Sequence, residues 1–305
     1  MKNAEIIAKL NLEQKCALLS GAGTFTTRGC PKAGVPSITL SDGPNGVRKQ
    51  AGAADHLGLN PSVPATCFPT SATVANRWDP ELGEAVGAAM GEEAAAQGVS
   101  VLLGPGLNIK RSPLCGRNFE YFSEDPYLAG KMAAAYVRGI QKNGIAACPK
   151  HFAVNSQELR RMASDSIVDE RTLREIYLTG FEIAVKEGHP RSIMSSYNLV
   201  NGTYANENKH LLMEILRGEW GFDGAVITDW GGSNDHALGV KNGSTLEMPA
   251  PGGDSVRELL AAVESGKISE SDIDARLSEL LPLVFDTKAA LDAAPREFDA
   301  AAHHA

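Results

Sequence analysis

The 305-residue sequence has few of the features that mark several large protein classes. It contains no run of 18 apolar residues, which excludes a membrane-spanning helix of the usual length. It also has no long basic run, and with a formal net charge of −8 this argues against nucleic acid as a partner. The amino-terminal region lacks the apolar core of a signal peptide, so we expect a soluble protein in the cytoplasm.

Metal and cofactor motifs are also missing. The five cysteines are odd in number and widely scattered, and the sequence contains no CxxC pair and no Cys/His cluster with metal-ligand spacing. They are therefore expected to be free thiols in a reducing compartment, and we predict neither a metal site nor a cofactor. The pattern G-x-G-x-x-G does not follow the first candidate strand, which weakens a dinucleotide-binding alternative.

Short apolar runs alternate with longer helical patterns along most of the chain. Seven runs predict strands, at residues 37–40, 71–75, 99–103, 145–149, 192–196, 225–228 and 244–248. Six patterns predict helices, at residues 80–97, 125–142, 170–186, 209–220, 255–264 and 271–284. The first of these helices has clear end signals, since Asp79 is a favoured N-cap residue, Pro80 occupies the first turn and Gly98 follows the last.

This alternation indicates a parallel sheet covered by helices. Seven candidate strands in one continuous series favour a closed barrel over an open sheet, and the chain is long enough for one. We therefore predict the α/β class and a (β/α)8 TIM-like barrel over residues 1–285, with an irregular or incomplete first part allowed. Residues 286–305 are rich in alanine and contain Pro295, which predicts a linker that leaves the finished domain, with His303 and His304 in a solvent-exposed tail.

Polar side chains follow several candidate strands at the end where barrel enzymes place their active sites. The strand at 225–228 leads directly into Asp229, Trp230 and two glycines. The same predicted face carries six further polar residues: Asp42, Arg117, Lys150, His151, Arg161 and Tyr197. Taken singly, they have plainer explanations, because Asp229 could cap the next helix, Asp42 could be a turn residue and Arg117 could bind loop carbonyls. Since they converge on one face, we interpret them as one site.

The chemistry of this set suits a sugar. A carboxylate beside an aromatic ring can attack an anomeric carbon while the ring packs against the sugar's apolar face. Surrounding cations would keep Asp229 ionised, as a nucleophile requires, and Tyr197 is predicted to hydrogen-bond and orient it. Lys150 and His151 are neighbours in sequence, and neighbouring strand side chains point to opposite faces. If both reach one ligand, the backbone there must be irregular, through a bulge or a cis peptide bond.

Five segments carry a family resemblance: S-D-G-P-N-G-V-R from Ser41, G-R-N-F-E-Y-F-S-E-D-P from Gly116, K-H-F from Lys150, S-S-Y-N from Ser195 and V-I-T-D-W-G from Val226. In this order and at these spacings they resemble the N-terminal barrel domain of glycoside hydrolase family 3, and among its members the bacterial and fungal β-glucosidases. The resemblance implies a retaining β-glycosidase that removes terminal non-reducing β-D-glucosyl residues through a covalent intermediate on Asp229. It also implies a sugar subsite formed by Asp42, Arg117, Lys150, His151 and Arg161 and lined by Tyr197 and Trp230.

The acid/base residue of such an enzyme is harder to place. In one branch of the family a lone barrel carries it in a loop of K-H-F-P-G-H-G type, whereas K-H-F is followed here by A-V-N-S-Q-E. In the two-domain β-glucosidases an acid/base glutamate comes from a following α/β sandwich domain, and this chain stops about where that domain would begin. Glu120 and Glu158 lie near the predicted site, and we interpret both as structural. The implied partners are a β-glucoside or oligosaccharide substrate and a C-terminal sandwich domain.

Other interpretations stay open on the sequence alone. Lys150 could be the Schiff-base nucleophile of a lyase. The chain could be a sugar-binding barrel without turnover or an inactive fragment, because no second carboxyl group is convincingly placed. Among glycosidases, β-xyloside and α-arabinoside specificities use closely similar barrels. The sequence is also compatible with a homo-oligomer.

Overall fold

The computed structural model describes residues 2–52, 54–55, 59–293 and 297–304. In these ranges the strands are β1 (Leu40–Asp42), β2 (Val101–Leu103), β3 (Ala146–Ala147), β4 (Asp165–Ser166), β5 (Ser192–Met194), β6 (Leu199–Val200), β7 (Thr203–Tyr204) and β8 (Ala225–Ile227). The α-helices are α1 (Ala4–Ile7), α2 (Leu12–Leu18), α3 (Ser71–Ala75), α4 (Pro80–Ala96), α5 (Pro126–Gln141), α6 (Glu170–Thr172), α7 (Thr179–Ile183), α8 (His236–Asn242), α9 (Asp254–Glu264), α10 (Glu270–Asp292) and α11 (Ala300–His304). Turns of 3₁₀-helix lie at Pro31–Ala33 and Ala205–Glu207, and π-helical segments at Leu173–Leu178, Ala184–Gly188 and His210–Glu219.

The central parallel strands follow one another around a ring. β2 pairs in parallel with both β1 and β3, and β5 pairs in parallel with β8. Between β3 and β5 the ladder continues, because Met194 N donates to Pro149 O at 2.9 Å and Phe152 N donates to Met194 O at 2.8 Å. Side chains of β2 alternate between two apolar layers, with Leu102 packed in one and its neighbours Val101 and Leu103 in the other.

The ring closes through isolated bridges instead of full strands. These bridges are Ile227 to Leu246 and Ser20 to Glu247, both parallel, and Thr26 to Thr39, antiparallel. The last one returns the chain to β1 and completes the barrel. The predicted α/β, TIM-like barrel is thus confirmed, and its first part is irregular. A small separate sheet of β4, β6 and β7 lies in the loops that follow β3 and β5.

The helices around the barrel begin where the sequence signals predict. At the start of α4, Asp79 Oδ1 accepts hydrogen bonds from the N–H groups of Glu81 and Leu82. α4 and α5 pack closely, since a Cβ on Gly87 would lie only 2.6 Å from the carbonyl oxygen of Tyr136, so a larger residue there would push the helices apart. None of the helices in the described ranges has the length and apolar character of a membrane span.

Some predicted strands differ from the structure. The segment at 71–75 is helix α3, which begins after Thr70, whose Oγ1 accepts the N–H of Thr73 at 3.3 Å. Val74 and Ala75 are buried in the core, so packing against α4 and α5 overrides the local preference of β-branched residues for strands. The segment at 244–248 contributes only two bridging residues. The first strand is shifted from 37–40 to β1.

Helix α10 extends beyond its predicted end. It continues past residue 284 to Asp292 with Pro282 in its interior. Thr287 is buried, and its Oγ1 donates to the carbonyl oxygen of Leu283 at 2.7 Å, while Leu291 packs against the core. These contacts explain why a helix continues in an alanine-rich segment. The domain boundary after residue 285 stays a prediction, and Pro295 lies outside the described residues.

The expectation of a solvent-exposed tail is wrong for His303. Its side chain is only 9% exposed, and its Nδ1 lies 2.7 Å from Oε1 of Glu93. Glu93 is a fully buried residue of α4 that also accepts a hydrogen bond from Thr66 N at 2.9 Å. His303 therefore contacts the barrel, whereas the adjacent His304 is exposed.

Candidate active site

A cavity of about 220 Å³ lies at the carboxyl ends of the barrel strands. It is lined by Phe25, Asp42, Arg117, Lys150, Arg161, Met194, Tyr197, Asp229 and Trp230. Of the eight site residues predicted from the sequence, the structure brings seven to this lining. The eighth, His151, is completely buried directly behind it, with Nε2 3.6 Å from Oδ2 of Asp229.

Asp229 follows β8 and has two different carboxylate oxygens. Oδ1 accepts the backbone N–H of Trp230 at 2.8 Å, whereas Oδ2 is buried and has no hydrogen-bond partner among the described residues. One oxygen is therefore fixed and the other is available to a ligand. Asp229 is not the cap of the next helix, because α8 is capped by Asp235, whose Oδ1 accepts Leu238 N at 2.8 Å.

The charge state of Asp229 reflects two opposed effects. Burial raises the pKa of its carboxyl group above the ordinary value, and this effect is the largest. The charges of Arg117, Lys150 and Arg161 and the N–H of Trp230 act in the opposite direction and limit the rise. The cations are thus needed to keep a carboxylate ionised in a buried position, as the sequence analysis expected.

His151 is a neutral side chain that lies between this carboxylate and the loops. Burial, and then the nearby charges of Arg117, Lys150 and Arg161, lower the pKa of His151 well below its ordinary value. Arg117 Nη2 lies 2.7 Å from His151 Nε2, and Tyr121 Oη lies 3.2 Å from Nδ1. Since the guanidinium can only donate, we assign the imidazole proton to Nδ1.

The backbone around Lys150 and His151 is irregular, as predicted. The peptide bonds Lys150–His151 and Phe152–Ala153 are both cis. Asn108 brackets His151, because its Nδ2 donates to His151 O at 2.9 Å and its Oδ1 accepts His151 N at 2.7 Å. Both basic side chains reach the site, with Lys150 Nζ 3.9 Å from Oδ1 of Asp42.

Two glutamates hold the arginines of the site. Glu120 Oε1 lies 2.5 Å from Arg117 Nε, and its Oε2 lies 3.9 Å from Lys150 Nζ. Glu158 Oε2 lies 2.8 Å from Arg161 Nη1. Each carboxylate thus pairs with an arginine, in the supporting role predicted for both, although Oε1 of Glu158 has no hydrogen-bond partner among the described residues.

The aromatic residues are held by the loops. Trp230 Nε1 donates to the carbonyl oxygen of Thr24 at 2.7 Å, and the ring packs 5.3 Å from that of Phe25. Tyr197 donates its hydroxyl proton to Trp230 O at 2.7 Å and lines the cavity beside Asp229. Its ring lies 4.6 Å beneath the guanidinium of Arg161. Burial and then the charge of Asp229 raise the pKa of Tyr197, so its hydroxyl stays protonated.

Asp42 ends β1, and its side chain is partly exposed beside the cavity. Its backbone carbonyl accepts Arg48 N at 2.8 Å and closes the turn that follows the strand. The residue thus has a turn role through its backbone and a position for ligand contact through its carboxylate.

Sequence reasoning missed two residues of the lining. Met194 is the last residue of β5, and the alternation of a predicted strand could have placed it on the inner face. Phe25 lies in the irregular first part, where no strand pattern was visible. In the described part of the chain, no group of three His, Cys, Asp or Glu side chains could hold a metal ion.

The fixed carboxylate, the cations and the aromatic rings thus lie at the carboxyl ends of the strands, where barrel enzymes place their active sites. Residues 53–283 match the family model described as the glycosyl hydrolase family 3 N terminal domain, and the chain belongs to this family. The resemblance inferred from the sequence motifs is thereby confirmed.

Individual relatives cover nearly all of the chain. It is 52% identical over 281 residues to thermostable beta-glucosidase B of Acetivibrio thermocellus, covering 92% of this chain and 37% of that protein. It is 44% identical to the exo-alpha-(1->6)-L-arabinopyranosidase of Bifidobacterium longum, covering 97% of this chain and 39% of that protein. The structure of beta-glucosidase 3B from Thermotoga neapolitana in complex with alpha-D-glucose superposes with a TM-score of 0.91 at 40% identity, covering 98% of this chain and 45% of that one. The chain therefore spans less than half the length of these relatives.

Proposed function

We propose that this chain is the nucleophile-bearing barrel of a retaining β-glucosidase that hydrolyses terminal non-reducing β-D-glucosyl residues. The observation that carries the proposal is Asp229 Oδ2, which lacks a hydrogen-bond partner among the described residues and adjoins a cavity of about 220 Å³. Arg117, Lys150 and Arg161 surround it with donors and positive charge. This arrangement suits a nucleophile that must stay ionised next to a ligand rich in hydroxyl groups.

The reaction would proceed in two displacements. Asp229 Oδ2 forms a bond to the anomeric carbon while the bond from that carbon to the leaving oxygen breaks, and a carboxylic acid gives its proton to that oxygen. A water molecule then attacks the anomeric carbon, the resulting carboxylate takes the proton of the water, and the bond to Asp229 breaks. In both steps the cations of the subsite bind the sugar hydroxyls and Trp230 packs against the sugar ring.

We propose that the second carboxyl group comes from a C-terminal α/β sandwich domain. Retaining glycosidases need two carboxyl groups about 5–5.5 Å apart. Besides Asp229, the carboxylate in the cavity lining is Asp42, which faces Lys150, while Glu120 and Glu158 are engaged with arginines. That the matched relatives are more than twice as long as this chain supports an additional domain.

Two other candidates carry less support. The similarity to an exo-alpha-(1->6)-L-arabinopyranosidase favours α-L-arabinopyranosides as a second substrate class. A Schiff-base role for Lys150 is disfavoured by its surroundings. Its Nζ lies 3.9 Å from a carboxylate oxygen of Asp42 and 3.9 Å from one of Glu120, so the side chain is placed as an ion-pair partner. A barrel that binds sugar without turnover is the expected behaviour if no second domain is present. The cytoplasmic location and the homo-oligomer stay predictions.

The stereochemistry of hydrolysis tests this function. The chain joined to the sandwich domain of a family relative is incubated with aryl β-glucoside, β-xyloside and α-L-arabinopyranoside, and the first-formed sugar is followed by proton NMR. We expect the β-glucoside to be preferred and β-glucose to appear before α-glucose, since two displacements retain configuration. Initial release of α-glucose, or turnover limited to the other two substrates, would contradict the proposal.

A further inference from the structure

The 3₁₀ turn Ala205–Glu207 lies against the loop that follows the nucleophile. Oε1 of Glu207 accepts two backbone hydrogen bonds, from Asn234 N at 2.9 Å and from Asp235 N at 2.7 Å. The carbonyl oxygen of Glu207 also accepts Asn242 Nδ2 at 2.8 Å, at the other end of α8. One residue therefore fixes both the entry to α8 and its last residue.

The neighbouring Asn206 ties the same turn to the barrel strands. Its Oδ1 accepts Ser195 Oγ at 2.9 Å and Ser244 Oγ at 2.8 Å, and all three residues are buried. Ser195 directly follows β5, and Ser244 opens the segment that bridges to β8. The turn is thus anchored on both sides of β8, the strand that delivers Asp229.

The carboxylate of Glu207 works without a cation. The residue is only 5% exposed, and among the described residues no cation pairs with it, while the acidic Asp235 and Glu258 are close enough to raise its pKa. Burial raises the pKa of Glu207, and the two N–H groups act against this rise. A buried acid in this environment is costly unless its hydrogen bonds are made, and the two bonds to the loop offset part of that cost.

The loop at residues 231–234 needs an anchor at its far end. Gly231 has a φ of +79°, and Gly232 follows it, so side chains restrain this stretch little. The near end is held by Tyr197, which donates to Trp230 O, and by Gly232 N, which donates to Asp229 O at 2.8 Å. At the other end Lys267 pairs with the carboxylate of Asp235 at 2.7 Å, and Glu207 holds the backbone N–H groups of Asn234 and Asp235, so a shift of this backbone would pass along residues 231–234 toward Trp230 and Asp229.

We propose that Glu207 is a positioning residue for the reaction: by accepting the N–H groups of Asn234 and Asp235, it fixes the far end of the loop at residues 231–234 and so helps to keep the preceding Asp229 and Trp230 in the geometry for attack. This inference rests on the proposed function. The length of the Glu207 side chain and its acceptor oxygen carry the role, and its charge does not. Loss of the anchor lowers the rate of the chemical step more than it lowers sugar affinity, since misplacing a reacting group acts on the transition state.

Three variants at one position separate reach from charge. Glu207→Gln keeps an acceptor oxygen at the same reach, Glu207→Asp keeps the charge but is one methylene too short, and Glu207→Ala removes both. Leu280→Ala, on the buried side of α10, is the control for general destabilisation. Each variant is made in the chain joined to the sandwich domain, and kcat and KM for an aryl β-glucoside are measured together with the melting temperature and amide exchange at 231–235.

We expect kcat to fall by about 10- to 100-fold in Glu207→Ala and Glu207→Asp with KM changed little, because small displacements of a reacting group have effects of this size. Glu207→Gln should stay close to wild type, and Leu280→Ala should keep its kcat despite a lower melting temperature. Amide exchange at 231–235 should rise in Glu207→Ala and Glu207→Asp only.

Several results would overturn the proposal. These are an unchanged kcat in Glu207→Asp, a loss in Glu207→Gln as large as in Glu207→Asp, or amide exchange at 231–235 that rises equally in Leu280→Ala. If wild-type protein shows no turnover of any glycoside, the proposed function fails, and amide exchange alone then decides whether Glu207 anchors the loop. Since Glu207→Gln and Glu207→Asp change the side chain little, the test does not depend on the folding of Glu207→Ala.

Discussion

Replacement of Asp229 by alanine is expected to lower turnover of an aryl β-glucoside by about 10⁴- to 10⁶-fold, because the step that forms the covalent bond loses its nucleophile. The variant is made in the chain joined to the sandwich domain of a family relative, and kcat is measured at saturating substrate. The fold should be almost unaffected, since burial makes the ionised carboxylate of Asp229 unfavourable and Oδ2 has no hydrogen bond to lose among the described residues.

A matched control for this substitution is Asp169→Ala. Asp169 is also an aspartate that accepts a backbone N–H, that of Thr172 at 3.0 Å, but it caps α6 away from the cavity lining. The control should lose some stability, as expected for removal of an N-cap, and keep its turnover. An enzyme without its nucleophile keeps far less than about one hundredth of its kcat. If Asp229→Ala kept more than that fraction, the role assigned to Asp229 would be wrong.

The isolated chain should be a very poor enzyme on cellobiose. Without a placed acid the departing glucose must leave as an alkoxide, and general acid–base help contributes about 10²- to 10⁴-fold. Aryl glycosides with good leaving groups should suffer less in the first step, but the covalent intermediate should then persist because the group that activates water is missing as well. We therefore expect a burst of released phenol followed by slow turnover.

Adding the sandwich domain, fused or as a separate chain, should restore cellobiose hydrolysis to the isolated barrel. The measurement is glucose release over time, with the burst amplitude compared with the protein concentration. Full cellobiose turnover by the isolated chain would place the acid/base inside it, and Glu120 and Glu158 would be the first residues to replace.

The sequence carried enough information for the barrel and for most of the site. Helices such as α4 and α5 were predictable because their caps and glycines are local signals, and Asp42, Lys150 and Asp229 were found because polar residues rarely end apolar strands without reason. The strand predicted at 71–75 failed because α3 is held in place by packing, which a short window of sequence does not contain.

Glu120 and Glu158 were predictable as supporting residues because they lie in the motifs of the site, whereas other long-range contacts could not be predicted. Glu207 and Asn108 act through hydrogen bonds to residues 27 and 43 positions away, and these pairings exist only in the folded chain. The same applies to the hydrogen bond from Tyr197 to the backbone carbonyl oxygen of Trp230, 33 positions away. The motifs thus indicated which residues form the site, whereas the structure indicates what holds them there.

The most direct test of the account is to trap the covalent intermediate with an activated 2-deoxy-2-fluoro-β-glucoside and to locate it by peptide mass spectrometry. The fluorine slows both displacements, and the good leaving group lets the first one occur, so the glycosyl enzyme accumulates. We expect one added fluoroglucosyl group, on Asp229 in the peptide that contains it, and no label in Asp229→Ala. A stable label on another carboxylate, or on Lys150, would contradict the assignment of Asp229 as the nucleophile.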